Sequence, residues 1–168
     1  EQFFNNMKTL IHHNWKLVIV HGGGPAIKQL LEKLAIPFEF VDGLRKTTDE
    51  MMDVVEMVLT GQINPALVRC LNANGIQAAG ISGSDMHLLE ATPLHKEKYG
   101  LVGEIEKVNT KLIHELLAKD IVPVISPVAI DRESKRYNVN ADTVAGAVAS
   151  ALQAEQLIFV TDVPGILH

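Results

Sequence analysis

The sequence predicts an α/β fold, a single layered domain built around a mainly parallel sheet. Three observations carry this expectation. Short runs of consecutive apolar, largely β-branched residues recur at 17–20 (LVIV), 121–126 (IVPVIS) and 157–161 (LIFVT). Such runs are the mark of strands buried on both faces. Helix-periodic stretches alternate with them, and glycine- or proline-bearing loops join strand to helix. The 168 residues are 47% hydrophobic and 21% charged, enough apolar material for one real core. Lys and Arg number 15 against 20 Asp and Glu, a net charge of −5. That balance argues against a free-standing nucleic-acid binder. A lone cysteine, Cys70, forms no internal disulfide and points to a reducing, cytoplasmic setting. No apolar run approaches the ~20 residues that span a bilayer.

Element by element, residues 3–14 form an amphipathic helix through Phe3, Met7, Leu10 and Ile11. A strand at 16–21 ends in Gly22-Gly23-Gly24-Pro25. Pro25 suits the first turn of a helix that runs to about residue 34, with Ile27, Leu30, Leu31 and Leu34 on one face. Residues 37–41 form a strand and 42–45 (DGLR) a loop. Thr48 caps a helix carrying Met52, Val55, Val58 and Leu59. Gly61 and Pro65 interrupt it, a second helix runs to about residue 71, and Gly75 stops it. The Met51, Met52 and Met57 group and Cys70 are read as packing residues. A strand at 76–81 leads to Ser82-Gly83-Ser84-Asp85. Residues 88–91 and 101–108 form an antiparallel hairpin inserted at a sheet edge. A helix at 111–118, a strand at 121–126, a short segment at 137–140, a helix at 141–152 and a buried strand at 157–161 complete the chain.

Five stretches at strand ends bear chemistry. The three glycines at 22–24 let the backbone approach an anion and offer it successive N–H groups at a helix N-terminus. They match neither a P-loop nor a dinucleotide fingerprint. His21 beside them reads as structural. Arg45 can grip a carboxylate through two parallel hydrogen bonds. In Tyr137-Asn138-Val139-Asn140-Ala141-Asp142, alternating asparagines share one side of a strand and Asp142 opens a helix, with Asn140 as its cap. Thr161-Asp162-Val163-Pro164-Gly165 is either a nucleotide contact or a plain turn. Ser82-Gly83-Ser84-Asp85 is the fifth. No spacing of His, Cys, Asp or Glu forms a metal-ligand motif.

The ordered set HGGGP, VDGLR, VVEMVLTG, YNVNAD and TDVPGIL resembles the acetylglutamate kinases of the amino-acid kinase family. The resemblance implies a three-layer α/β/α sandwich with a mainly parallel open sheet. It implies transfer of the γ-phosphoryl group of ATP, carried with Mg²⁺, to the γ-carboxylate of N-acetyl-L-glutamate, a step of arginine biosynthesis. By position, Gly22 and Gly23 would hold phosphate, and Gly23, Gly24, Arg45 and Asn138 the substrate. Asp142 would orient catalytic lysines, and Thr161 and Asp162 would line the nucleotide site. A homodimer or hexamer is implied. A family Lys-x-Gly-Gly strand is not found before Lys16, and a second lysine would fall after His168. Residues 1–168 are thus expected to be mostly the acetylglutamate-binding lobe, with a nucleotide-binding lobe starting near residue 155. Ser84, Met86 and Pro65 depart from the family pattern. A sibling amino-acid kinase, or a non-catalytic arginine-sensing domain of the same family, is the alternative.

Overall fold

The computed structural model describes residues 2–160. Helix α1 (Gln2–His12) leads to β1 (Ile19–Val20), and α2 (Gly24–Lys33) follows with its proline in the first turn. Next come β2 (Phe40–Val41), β3 (Leu44–Arg45) and α3 (Asp49–Glu56). Thr48 caps α3, its hydroxyl accepting from the Met51 amide at 3.2 Å. The chain stays helical through a π-helical turn (Met57–Ile63) into α4 (Asn64–Ala73). Pro65 accounts for this widening. It has no N–H for the carbonyl four residues earlier, and its ring would strike that carbonyl in a regular α-helix. Gly75, at φ +77°, turns the chain away from α4 into β4 (Ala78–Ser82).

Strands β5 (Leu89–Pro93) and β6 (Gly103–Val108) flank the short α5 (Lys96–Tyr99). Helix α6 (Lys111–Leu117), strands β7 (Val122–Ser126), β8 (Val128–Ile130) and β9 (Arg136–Asn138), and α7 (Ala141–Leu152) follow. Asn140 caps α7 as expected, accepting from the amides of Asp142 and Thr143 at 2.9 and 3.1 Å.

The parallel sheet has the order β1-β7-β4, with Ile19 and Gly80 both opposite Val124. Every residue of β7 is buried. Its alternation sorts side chains between two cores. Val122 and Val124 pack with Met7 and Leu71, while Ile125 packs with Leu31, Leu59, Val144 and Val148. Helices therefore cover both faces of a mainly parallel open sheet, the layering the sequence predicts.

Several expectations change. The β5–β6 hairpin is antiparallel as expected, but it is no appendage to the parallel sheet's edge. It forms a four-stranded sheet of order β6-β5-β8-β9, completed by a strand at 128–130 that periodicity does not separate from its neighbour. Asp42-Gly43 is the two-residue turn of a second hairpin, both residues at positive φ (+50° and +78°), so Arg45 lies on a strand and not in a loop. Cys70, Leu34 and Met57 are exposed rather than packed. Residues 157–160 form no strand and are exposed, Val160 at 76%. A strand is held by a neighbour's hydrogen bonds, and this run has no ladder partner among the described residues.

Candidate active site

A cleft of about 210 Å³ opens at the carboxyl end of β1. Its lining includes Gly22, Gly23, Gly24, Arg45, Asn138 and Asn140. The topology thus brings together the glycine loop, the arginine and both asparagines that the sequence singles out. Gly23 is the N-cap of α2 and offers no side chain to its first amides. The start of the helix is left available to an anion. Gly23 also sits against the π turn: a Cβ there would overlap the side-chain ends of Ile63 and Leu59, which would have to shift to admit it. Gly24 faces open space.

Arg45 reaches this loop from β3. Its Nη2 donates to the Gly24 carbonyl at 3.2 Å, and its guanidinium lies 4.6 and 5.0 Å from the Phe40 and Phe38 ring centres. The residue is 8% exposed, and burial pushes its pKa below the ordinary arginine value. Its Nη1 is buried with no hydrogen-bond partner. Buried donors are almost always satisfied, and a carboxylate or other acceptor in the cleft would satisfy this one.

Thr47 ties the arginine to the asparagine. Fully buried, its hydroxyl donates to the Arg45 carbonyl at 2.8 Å and accepts from Asn138 Nδ2 at 3.2 Å. The hairpin tip is held separately. Asp42 accepts from Lys98 Nζ at 2.6 Å and from the Tyr99 hydroxyl at 2.8 Å, which holds its carboxyl below the usual range.

Other expected residues lie apart. Asp142 is exposed and outside the cleft lining, and among the described residues it has no ion-pair partner. It follows Ala141, which does line the cleft. Its peptide N–H bonds Asn140, as a first-turn residue's should. Thr161 and Asp162 lie outside the described residues. Ser82, Ser84 and Asp85 line a second, more polar cleft of about 380 Å³ with Glu56, Thr60 and Asn64. No group of three His, Cys, Asp or Glu side chains among the described residues could hold a metal ion. No helix among them is long and apolar enough to cross a membrane.

Sequence reasoning misses Phe38, Phe40, Thr47 and Asn64. One signal was present: an Asp-Gly two-residue turn sets the register, which places Phe40 opposite Arg45.

Known proteins resemble this chain in sequence and fold. The Amino acid kinase family matches residues 1–168. Acetylglutamate kinase from Geobacillus sp. (strain WCH70) is 50% identical over 99% of the chain and 65% of its own length. The protein of that name from Geobacillus kaustophilus (strain HTA426) is 53% identical over 99% of the chain and 64% of its own length. The chain thus spans just under two thirds of these curated relatives. Among solved structures, smu.665 from Streptococcus mutans UA159 superposes with a TM-score of 0.94 at 34% identity, covering 98% of this chain and 67% of its own. The N-acetylglutamate synthase from Neisseria gonorrhoeae shares the fold at 21% identity, with a TM-score of 0.76 over 90% of this chain and 35% of its own. A match over the whole chain, joined to the same fold and to a glycine loop beside a buried arginine, places this chain in the amino acid kinase family.

Proposed function

We propose that the full-length protein carrying this chain is an acetylglutamate kinase, and that the cleft at Gly22–Gly24 and Arg45 receives N-acetyl-L-glutamate. The unbonded Arg45 Nη1, on a guanidinium whose Nη2 bonds the glycine loop at Gly24, carries this reading. Identity near 50% to acetylglutamate kinases supports the choice of substrate.

In this reading Arg45 holds the α-carboxylate through charge-assisted hydrogen bonds, and Asn138, steadied by Thr47, binds the same molecule. The γ-carboxylate is ionised at neutral pH and attacks the γ-phosphorus of ATP with no general base. The new bond joins a carboxylate oxygen to phosphorus, and the bond to the β-phosphate oxygen breaks, releasing ADP. Backbone N–H groups of Gly22, Gly23 and Gly24 face the charge that builds on the phosphoryl oxygens. Positioning and electrostatics supply the rate, which suits a rigid strand-to-helix loop. Mg²⁺ carried by the nucleotide would supply charge neutralisation at its phosphates. Asp142, exposed next to the cleft-lining Ala141, pairs with a catalytic lysine in this reading, and Thr161 and Asp162 contact the nucleotide. A homo-oligomer belongs to the same proposal and is checked by light scattering.

The test is turnover of the full-length protein with N-acetyl-L-glutamate and MgATP, trapping the acyl phosphate with hydroxylamine. Arg45→Ala is expected to raise the acetylglutamate KM at least tenfold more than the ATP KM. Turnover with aspartate, glutamate or carbamate in place of acetylglutamate would reassign the substrate. No turnover with any of them would sink the kinase reading.

A further inference from the structure

His21 and Asn64 meet between the two clefts, and neither has a role in the reading above. His21 is 8% exposed and Asn64 is 5% exposed. Asn64 Nδ2 lies 2.9 Å from the Val124 carbonyl oxygen and 3.1 Å from His21 Nε2. His21 Nδ1 lies 3.0 Å from the Gly22 carbonyl oxygen.

The donor and acceptor roles in this chain have one consistent solution. A backbone carbonyl only accepts, so the Asn64 atom facing Val124 is the amide nitrogen. Its second hydrogen points at His21 Nε2, which must therefore present a lone pair. The imidazole proton then sits on Nδ1 and donates to the Gly22 carbonyl. Moving that proton to Nε2 would set two donors face to face and leave Nδ1 against carbonyl lone pairs. The amide cannot simply turn over, because its oxygen would then oppose the Val124 carbonyl. Burial also disfavours the charged ring, pushing the His21 pKa down.

The consequence for the loop follows from the peptide unit. In a trans peptide the C=O and the next N–H point in opposite directions. A Gly22 carbonyl held against the imidazole turns the Gly23 N–H away from it, and Gly23 lines the cleft. Asn64 is placed for this by the π turn that ends at Ile63, the same turn whose Leu59 and Ile63 side chains abut Gly23. Room for its carboxamide comes from Gly80, where a Cβ would overlap Asn64 Oδ1.

We infer that Asn64 and His21 are positioning residues: Asn64 fixes His21 in the Nδ1–H tautomer, and His21 pins the Gly22 peptide so that the Gly23 amide faces the phosphoryl group. The geometric half stands by itself, while the catalytic half rests on the acetylglutamate kinase reading.

The experiment uses the full-length protein with ¹⁵N-labelled histidine. Long-range ¹H–¹⁵N correlation spectra at pH 7.5 distinguish the two tautomers, and His21→Asn assigns the signal. The expected wild-type result is the Nδ1–H form, which is the minor form of free histidine. Asn64→Leu, which leaves the Gly22 carbonyl as the one group still favouring the Nδ1 proton, is expected to raise the share of the Nε2–H form and to lower kcat at least tenfold, with the acetylglutamate KM within threefold of wild type. An Nε2–H ring or an imidazolium in the wild type overturns the inference. So does an unchanged kcat in a folded Asn64→Leu protein. If that variant is too unstable to assay, His21→Asn against His21→Gln decides the point. Asparagine can present an amide N–H near the Nδ1 position and glutamine only near Nε2, so a tenfold larger kcat loss in glutamine supports the device and equal losses reject it. A protein inactive with acetylglutamate refutes the assigned reaction, and the tautomer spectra still judge the hydrogen-bond chain.

Discussion

The Arg45 guanidinium lies 4.6 Å from the ring centre of Phe40, its partner across the β2–β3 ladder. The pairing is a property of the hairpin register. Phe38, two residues earlier, lies edge-on to Phe40 at 6.1 Å and adds a second aromatic surface at 5.0 Å from the cation. Two rings and the Gly24 carbonyl therefore hold an arginine whose Nη1 has no hydrogen-bond partner among the described residues. Cation–π contacts at partly exposed sites contribute about 0.5–1 kcal/mol. Phe40→Leu is expected to raise the acetylglutamate KM about two- to fivefold with little change in the ATP KM. Steady-state kinetics with each substrate varied in turn checks this.

Adjacent glycines of the loop should respond differently to alanine. At Gly23 the new methyl would displace the side-chain ends of Ile63 and Leu59, so Gly23→Ala is expected to cost about 1–3 kcal/mol of stability and to lower kcat. At Gly24 nothing lies within 4 Å of the new Cβ. Gly24→Ala is expected to stay within about 0.5 kcal/mol of wild type while its methyl intrudes on the cleft and raises substrate KM. Urea unfolding of both variants beside their kinetics separates the two effects. Equal destabilisation would contradict the packing described here.

The hairpin that bears Arg45 is tethered at its tip by Asp42, through Lys98 and Tyr99. Hydrogen bonding to Lys98 first, and then to Tyr99, lowers the Asp42 pKa. A depressed carboxyl pKa means that the contribution to stability is present above the unfolded value, near pH 4, and is lost as pH falls through the folded value. Asp42→Asn keeps a residue that tolerates positive φ and removes the charge. It is expected to speed hydrogen exchange at the Lys46 amide, which bonds the Glu39 carbonyl within the same hairpin. Unchanged exchange at neutral pH would show that the tether does not hold the hairpin.

Thr48→Ala removes the side-chain cap of α3, the helix that leads into the π turn. The expected loss is about 1 kcal/mol, read from the midpoint of chemical denaturation at constant slope. A shift below about 0.3 kcal/mol would mean that another group satisfies the Met51 amide.

Local chemistry made much of this protein readable. Pro25 after three glycines announces the start of α2, and Thr48 and Asn140 announce α3 and α7. Gly75 marks the end of α4. These signals depend on φ, on a missing N–H or on a short polar side chain, all fixed by residue type within a few positions. The run at 157–160 misleads for the opposite reason. Its apolar residues favour a buried strand, but burial and pairing need a neighbour that the run itself does not encode.

By itself, then, the sequence determined the α/β class, the glycine loop, the starts of α2, α3 and α7 and the ordered motifs of the family. Only the tertiary structure decided that Arg45 stands on a strand between two phenylalanines, that Thr47 joins it to Asn138, and that Asn64 reaches across 43 positions to His21. Those relations are hydrogen bonds and contacts between distant segments. Their existence turns on register, on a single π turn and on the empty volume at Gly80, none of which has a period or a spacing along the chain.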